Sequence, residues 1–431
     1  MFLGIDHTIM LKKIKICVIG LGYVGLPLAI SLSKYFTVVG YDKNYSRIDQ
    51  LKKGLDLTNE INKKLIKKSK IFFTHKEKNI KSCNTFIITV PTPVDNANKP
   101  DLKSIKNATK SVAKNLNKEN LIIYESTVYP GCTEEILIPI IKRETRLELN
   151  KDFFVGYSPE RIDPGISKYK LTNQTKVISG SNKRALKMVK YIYGKIIKKK
   201  LYPTKNIKIA EAAKIIENTQ RDINIAFVNE LSILFHKLNI STEDVLSAAK
   251  TKWNFLNFKP GLVGGHCIGV DPYYLKYKAI KSGMKPNMIS SGRKVNDSIP
   301  QFIFKETSKI IKSKIKKNIN NKILFLGITF KENCNDFRNS KALDLYKFFK
   351  TKNKKIDVYD PVVNKDSLYK FYKIKVLKKL KKKYYDIIVV SVPHKKIKKF
   401  SLKFIRSLGK NNSIIIDIKS LYPKNLVEWQ L

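Results

Sequence analysis

The sequence predicts an α/β protein in which two doubly wound parallel sheets are joined by a helical segment with one long central helix. Three observations lead there. Strand-like apolar runs alternate with helical patterns through the first half of the chain, as successive βαβ units require. From 206 to 238 a single helical pattern runs without an internal Pro or Gly. A second strand-first block begins at Asn321 and repeats the grammar of the first.

In the first block the predicted strands are 15–19, 37–41, 85–90, 121–125 and 153–157. Helical patterns at 26–34 and 102–116, and a Lys-rich amphipathic stretch around 45–68, lie between them. The long helix carries Ala210, Ala213, Ile216, Ile223, Phe227 and Leu231 near helical spacing, which marks them as its apolar face. In the second block the strands are 322–327, 355–359 (ending before Asp360), 386–390 and 413–416. The expected domains are 1–205, 206–300 and 301–431, with residues 1–10 ahead of the first strand. Lys runs at 196–200, 312–317 and 378–383 read as solvated helix ends or loops.

The chain has 431 residues, enough for two or three domains at ~100–200 residues each. A hydrophobic fraction of 43% with 19 Gly and 16 Pro excludes collagen-like, linker-dominated and disordered chains. Charge is the odd quantity: 85 Lys+Arg against 35 Asp+Glu give a formal +50. That balance suggests nucleic acid or an anionic membrane. Only nine of the basic residues are Arg, however, and 76 are Lys scattered over the whole chain. Base readout favours the bidentate Arg fork, so no nucleic-acid partner is expected. The five cysteines, Cys17, Cys83, Cys132, Cys267 and Cys334, are far apart and lack metal-binding spacing. They read as cytosolic thiols with no metal. Residues 16–33 carry no charge and follow Lys12, Lys13 and Lys15, which mimics a signal peptide or a membrane span. Gly20, Gly22, Gly25 and Pro27 interrupt that run and no second apolar span follows. A cytoplasmic protein without a membrane segment is the expectation.

The first predicted strand runs into Gly20-Leu21-Gly22-Tyr23-Val24-Gly25, the G-x-G-x-x-G pattern where a strand turns into a helix. Gly20 permits the tight turn, Gly22 lets a pyrophosphate approach the backbone, and Gly25 lets helix and strand pack closely. The N–H groups of the helix start face the phosphates. Asp42 ends the next strand, 22 residues after Gly20. A carboxylate there bonds ribose hydroxyls and repels a 2′-phosphate, which predicts a Rossmann-like NAD site rather than an NADP site. Downstream, residues 260–275 read Pro-Gly-Leu-Val-Gly-Gly-His-Cys-Ile-Gly-Val-Asp-Pro-Tyr-Tyr-Leu. A Cys after a Gly-rich loop can expose its sulfur to a substrate as a nucleophile. Asp271-Pro272 is equally an ordinary helix N-cap with Pro at the first helical position, and His266 can be loop filling. A nicotinamide site combined with an exposed Cys suggests oxidation through a thiohemiacetal and a thioester.

From about residue 14 to about 419 the chain resembles the nucleotide-sugar 6-dehydrogenases, the family acting on UDP-glucose, UDP-N-acetylglucosamine and UDP-N-acetylmannosamine. The motifs are Gly20-Leu-Gly-Tyr-Val-Gly-Leu-Pro27, Pro91-Thr-Pro93, Ser126-Thr-Val-Tyr-Pro-Gly131, Ser158-Pro-Glu-Arg161, Ala210-Glu-Ala-Ala-Lys-Ile-Ile-Glu-Asn218, Gly264-Gly-His-Cys267, and Gly327-Ile-Thr-Phe-Lys-Glu-Asn333 with Asp336, Arg338 and Asn339. The resemblance implies a four-electron oxidation of the sugar C6 alcohol with two NAD per turnover. It makes Cys267 the nucleophile, with Lys214 and Asn218 stabilising the oxyanion and holding water. Asp271 then lies near that water, Glu160 transfers protons in hydrolysis, and Thr127 orders the water. It implies cofactor contacts from Tyr23, Val24, Arg47, Pro91, Thr92, Ser126 and Thr127. Lys331 and Arg338 match residues that meet substrate or cofactor phosphates. Substrate contacts fall to Glu160, Arg161, Lys214, Asn218, Gly264, His266 and Lys331, with Arg161 or His266 as alternatives for an N-acetyl group.

Pro164 and Val270 depart from the UDP-glucose branch, which carries an acidic residue and Lys there, and the chain looks like the UDP-N-acetylhexosamine branch of bacterial surface-polysaccharide synthesis. The alternatives are UDP-glucose as substrate or, in another class, an inactive polycationic binding protein on the same fold. A homo-oligomer, a homodimer, is the expected assembly.

Overall fold

The computed structural model of the chain describes residues 14–58, 60–161, 171–314, 321–352 and 355–431. The expectations about residues 1–10, Pro164 and part of the Lys run at 312–317 lie outside the described residues. The chain folds as two compact units, one made of residues up to 217 with 273–282, the other of 218–272 with 283–431.

The first unit is built on an eight-stranded sheet in the order β3-β2-β1-β4-β5-β6-β7-β8. Its strands are β1 (Lys15–Ile19), β2 (Thr37–Tyr41), β3 (Phe72–Thr74), β4 (Thr85–Ile88), β5 (Asn120–Tyr124), β6 (Phe153–Tyr157), β7 (Lys176–Gly180) and β8 (Leu201–Pro203). Neighbours pair in parallel except β6 with β7. β4 and β5 are buried along their whole length, which is why they read as continuous apolar runs. Helices α1 (Gly25–Leu32), α2 (Tyr45–Lys52), α3 (Lys63–Lys68), α4 (Lys103–Ala113), α5 (Ile138–Thr145) and α6 (Lys183–Ile196) connect the strands. The uncharged run at 16–33 is thus a strand, a glycine turn and a short helix, and among the described residues no helix is long and apolar enough to cross a membrane.

Several boundaries differ from the expected ones. β4 stops at Ile88 because Thr89 turns its hydroxyl back to the carbonyls of Ile19 (2.9 Å) and Gly20 (2.7 Å). The stretch at 45–68 is two helices. Gly54 ends the first at φ 77°, and Asp56 folds the following turn by accepting from the N–H groups of Glu60 and Ile61, each at 3.0 Å. β3 and β8 have three residues each, and β7 opens on a lysine, so each carries too short an apolar run to announce a strand in sequence.

Helix α7 (Ile207–Lys237) is the predicted long helix, but its buried face is only partly the predicted one: Ala210 is buried and Ala213, Ile223 and Leu231 are partly so. Ile216 and Phe227 are exposed, whereas Glu211, Lys214, Asp222, Asn229 and Ser232 are buried. The helix turns its polar side inward, where polar partners wait. Short helix α8 (Thr242–Ala249) and the Cys267 loop follow, then α9 (Asp271–Lys281) and α10 (Asn287–Lys314), which spans residue 300.

The second unit holds a five-stranded parallel sheet in the order β10-β9-β11-β12-β13. Its strands are β9 (Ile323–Leu326), β10 (Ile356–Tyr359), β11 (Tyr385–Val390), β12 (Gly409–Asp417) and the short β13 (Trp429–Gln430), which the sequence does not announce. Helices α11 (Lys341–Lys352), α12 (Lys365–Tyr372), α13 (Lys395–Lys398) and α14 (Leu402–Leu408) complete it. Apolar clusters around Phe325 and Phe349 and around Tyr385 and Leu408 cover the two faces.

Candidate active site

In the first unit the strand order reverses between β1 and β4, and the ends of β1, β4, β5 and β6 deliver their loops to one edge of the sheet. In such sheets ligands bind at this edge, at the switch point. Gly20 takes φ 90° and its N–H donates to the Tyr41 carbonyl (2.9 Å). A Cβ on Gly25 would stand 1.9 Å from the Gly20 carbonyl oxygen and 2.4 Å from Thr89 Oγ1, so helix and strand meet only because this residue has none. At Gly22 a Cβ would find nothing within 4 Å, which is the open space a pyrophosphate needs. α1 starts after Tyr23 and Val24 with no side-chain cap and no acidic residue in its first turn, leaving N–H groups for an anion.

Asp42 is fixed by two backbone donors, Leu21 N–H to Oδ2 and Asn44 N–H to Oδ1, each at 2.9 Å. Each oxygen keeps a lone pair for a ribose hydroxyl. Arg47, expected to touch the cofactor, is held from within: Nε donates to the Leu21 carbonyl (2.9 Å) and Nη2 to buried Asp56 (2.8 Å). Burial works to raise the Asp56 carboxyl, but bonds from Thr58, Ile61 and Arg47 outweigh it and hold the carboxyl low. The Pro91-Thr92 and Ser126-Thr127 loops lie side by side. Thr92 donates to the Thr127 carbonyl (2.6 Å) and Ser126 to the Val90 carbonyl (2.7 Å), while Tyr274 donates to the carbonyls of Thr92 (2.9 Å) and Pro93 (3.1 Å).

Glu160 follows β6 in the same unit, its Oε1 accepting from Arg161 N–H at 2.6 Å. The Arg161 guanidinium is paired with Glu217 and donates to the Thr175 carbonyl (3.3 Å). Lys214 is buried on α7. Three residues before it, Glu211 accepts from Gly131 N–H (2.5 Å) and Thr133 N–H (2.9 Å), anchoring the far end of the Thr127 segment to the helix that carries Lys214. Burial pushes the Glu211 carboxyl up to about 7, against those bonds.

In the second unit the Cys267 loop is shaped by close approach. Gly265 has φ 88°, and a Cβ there would sit 2.5 Å from the Phe330 ring; at Gly264 it would sit 2.3 Å from the Asn339 carbonyl oxygen. The loop is pinned by Gly265 N–H to that carbonyl (3.1 Å). Cys267 is partly exposed, and its carbonyl accepts from the N–H groups of Val270 (3.0 Å) and Asp271 (2.8 Å) in the turn that leads into α9. Asp271 is the first residue of α9, and its carboxylate accepts from the Asn218 side chain at 2.6 Å. Cys267, Asp271 and Asn218 are therefore gathered in one unit, and Lys214 lies one helical turn before Asn218 on α7.

Sequence reasoning missed the polar spine behind this loop. Asn229 brackets Gly261, accepting from its N–H (2.7 Å) and donating to its carbonyl (3.1 Å), and donates to Asn296 (2.8 Å). Asn296 and Arg293 in turn bind Asp222, at 2.8 and 2.5 Å. Burial raises the Asp222 carboxyl, with Arg293 pulling the other way. The available signal was that Asn218, Asp222 and Asn229 share one face of a 3.6-residue helix. His266 packs edge-on to Phe330 (5.5 Å) with Nδ1 3.5 Å from Asp336 Oδ2. Asp336 also takes a forked contact from Arg338, at 3.0 and 2.5 Å, and the Lys331 ammonium lies 5.8 Å from the centre of the Phe330 ring.

The glycine turn, its open cradle and the fixed Asp42 carboxylate fit an NAD-binding dehydrogenase domain. The chain belongs to the UDP-glucose/GDP-mannose dehydrogenase family, matching its NAD binding domain over residues 14–197, its central domain over 208–298 and its UDP binding domain over 324–424. NAD is its cofactor. It is 46% identical over 417 residues to the UDP-N-acetyl-D-glucosamine 6-dehydrogenase of Salmonella typhi, covering 96% of this chain and 97% of that one. It is 44% identical over 425 residues to the enzyme of the same name from Pseudomonas aeruginosa, covering 98% and 100%. Among solved structures, the UDP-D-ManNAc dehydrogenase of Pyrococcus horikoshii superposes with a TM-score of 0.86 at 30% identity, over 97% of this chain and 98% of that one. The UDP-N-acetyl-mannosamine dehydrogenase of Staphylococcus aureus gives 0.82 at 28% identity, over 96% and 98%.

Proposed function

We propose that the protein oxidises the C6 hydroxymethyl of UDP-N-acetylglucosamine to the carboxylate, consuming two NAD and one water per sugar and releasing the uronic acid. The observation that carries this reading is identity of 46% and 44%, over nearly whole chains, to two enzymes with that activity in their names. NAD, when bound, supplies the acceptor for the hydride lost from C6 at each oxidation. Cys267 adds through its sulfur to the aldehyde carbon, and the resulting thiohemiacetal is oxidised to a thioester. Water then cleaves the C–S bond and returns the thiol. Lys214 and Asn218, at i and i+4 on α7, stabilise the oxyanion. Asp271, oriented by Asn218, lies near the attacking water, which Thr127 orders, and Glu160 takes its proton. Lys331 and Arg338 meet phosphates, and Arg161 or His266 accommodates the N-acetyl group. NAD is held by residues 1–205 and UDP by 301–431, with 206–300 carrying the central helix and the Cys267 loop.

The product is a precursor of a bacterial surface polysaccharide made in the cytoplasm. The protein works as a homodimer, in support of which α7 presents Ile209, Ile216, Phe227 and Leu234 to solvent as an apolar stripe suited to a second copy. The 32% identity to UDP-N-acetyl-D-mannosamine dehydrogenase of Methanocaldococcus jannaschii favours the C2 epimer as the second reading. A panel of UDP-N-acetylglucosamine, UDP-N-acetylmannosamine and UDP-glucose compared by kcat/KM decides among them. Two NADH should form per sugar, and Cys267→Ser should abolish net turnover. No NADH with any UDP-sugar would sink the proposal.

A further inference from the structure

Behind Glu160 lies a buried cluster of titratable side chains that none of the steps above uses. Glu125 follows β5, Lys176 opens β7 and Tyr193 sits on α6, and none is more than 5% exposed. The Lys176 ammonium donates to Glu125 Oε2 (3.1 Å) and to the Pro159 carbonyl (3.1 Å), and it stands 3.9 Å from Glu160 Oε2. Tyr193 donates its hydroxyl to the other Glu125 oxygen, and its ring centre lies 5.1 Å from the same ammonium. On the remaining side Arg161 N–H bonds Glu160 Oε1, with the guanidinium paired to Glu217. Two carboxylates, one beyond β5 and one beyond β6, therefore divide one buried ammonium.

We propose that Glu125 and Lys176 are positioning residues for Glu160. The ammonium, anchored by Glu125 and the Pro159 carbonyl, holds the Glu160 carboxylate in place, and the charge on Glu125 decides how much of that cation Glu160 receives. This rests on Glu160 being the proton-transfer residue of thioester hydrolysis. Burial pushes Glu125 up to about 6, with Lys176 drawing it down and the Glu160 charge driving it up. When Glu125 is neutral it makes no claim on the Lys176 ammonium; when it is ionised the two carboxylates share that cation. Coupling of this kind is reciprocal, so whatever charge on Glu160 does to Glu125, charge on Glu125 does to Glu160.

The test reads the coupling directly. Protein labelled with 13C at the glutamate carboxyl carbons is titrated by NMR, Glu125→Gln identifying the Glu125 signal by its loss. The Glu125 midpoint should fall by about one pH unit in Glu160→Gln and rise by a similar amount in Lys176→Met. In turnover, Lys176→Met should lower kcat roughly tenfold with little change in KM, Lys176→Arg restoring part of it; the unchanged enzyme should show a step in kcat near pH 6 as Glu125 titrates, and Glu125→Gln should remove that step. Should Lys176→Met fail to fold, Glu160→Gln alone still decides the coupling. A Glu125 midpoint that ignores Glu160→Gln overturns the inference. A midpoint that moves while Glu160→Gln keeps full turnover upholds the coupling and removes Glu160 from the chemistry instead.

Discussion

Gly265 shows how a single missing Cβ shapes the loop that carries Cys267, the proposed nucleophile, two residues on. With φ 88° and the Phe330 ring 2.5 Å from where a Cβ would lie, an alanine there must strain the backbone and push the loop off the ring. A misplacement of about 1 Å costs on the order of a hundredfold in rate when the reacting geometry is tight. Gly265→Ala should therefore lower kcat by roughly ten- to a hundredfold with the fold intact, and adding Phe330→Ala should recover part of the loss. Steady-state kinetics with circular dichroism checks it, and a Gly265→Ala enzyme with normal kcat would show that the close approach is dispensable. Asp42 is the complementary case, where what matters is a charge held by two backbone donors. Asp42→Asn keeps one acceptor and loses the repulsion of a 2′-phosphate, so the ratio of kcat/KM for NAD over NADP should fall, by roughly tenfold or more.

At the scale of elements, α7 carries most of the difference between sequence and structure. The glycine turn, Asp42 and the core strands were legible because backbone geometry and burial on both sheet faces impose them locally. The helix was legible in length but only partly in orientation: Ala210 is buried as its period requires, yet Ile216 and Phe227 face solvent, while Glu211, Asp222 and Asn229 turn inward to partners 32 to 80 residues away. Likewise nothing local ties Lys176 to Glu125, which lies 51 residues earlier. The buried carboxylates have a thermodynamic signature. The ordinary value for Glu211 is 4.5 and the folded one about 7, so the native state keeps a proton that the unfolded chain has released. Stability therefore falls as pH rises from 4.5 towards 7, by roughly 3 kcal/mol at most from this group. Glu125, at about 6, adds to the same slope only in its lower part. Urea melts at intervals between pH 5 and 8 should show the decline, and Glu211→Gln should flatten it specifically between about 6 and 7. An unchanged slope would mean that Glu211 is ionised in the fold.

Across the whole molecule the two sheets repeat one turn with different outcomes. Gly327 takes φ 88° as Gly20 takes 90°; its N–H donates to the Tyr359 carbonyl as that of Gly20 does to Tyr41, each at 2.9 Å. Ile328 N–H donates to Asp360 (2.8 Å) as Leu21 N–H does to Asp42, and Ser391 binds the Gly327 carbonyl (2.5 Å) as Thr89 binds that of Gly20. The second carboxylate, however, is closed off. His394 accepts Asn333 N–H at Nδ1 (2.9 Å), so its Nε2 carries the proton and donates to Asp360 (3.0 Å), with both side chains fully buried. An aspartate locked this way has no oxygen to offer a ribose, which separates the two units chemically despite their shared grammar.

Around both units lies the +50 charge of the chain, carried overwhelmingly by Lys. NAD and UDP-sugars are anions, so a positive field raises their encounter rate, and the Debye length contracts from about 30 Å at 0.01 M to about 8 Å at 0.15 M salt. The effect belongs to capture and not to chemistry once substrate and cofactor are bound. Raising ionic strength over that range should accordingly lower kcat/KM severalfold while kcat stays nearly constant, with the loss reproduced by different monovalent salts at equal strength. A flat kcat/KM would mean that the lysines solvate the surface without steering, and a parallel fall in kcat would place the salt-sensitive contacts inside the reacting complex.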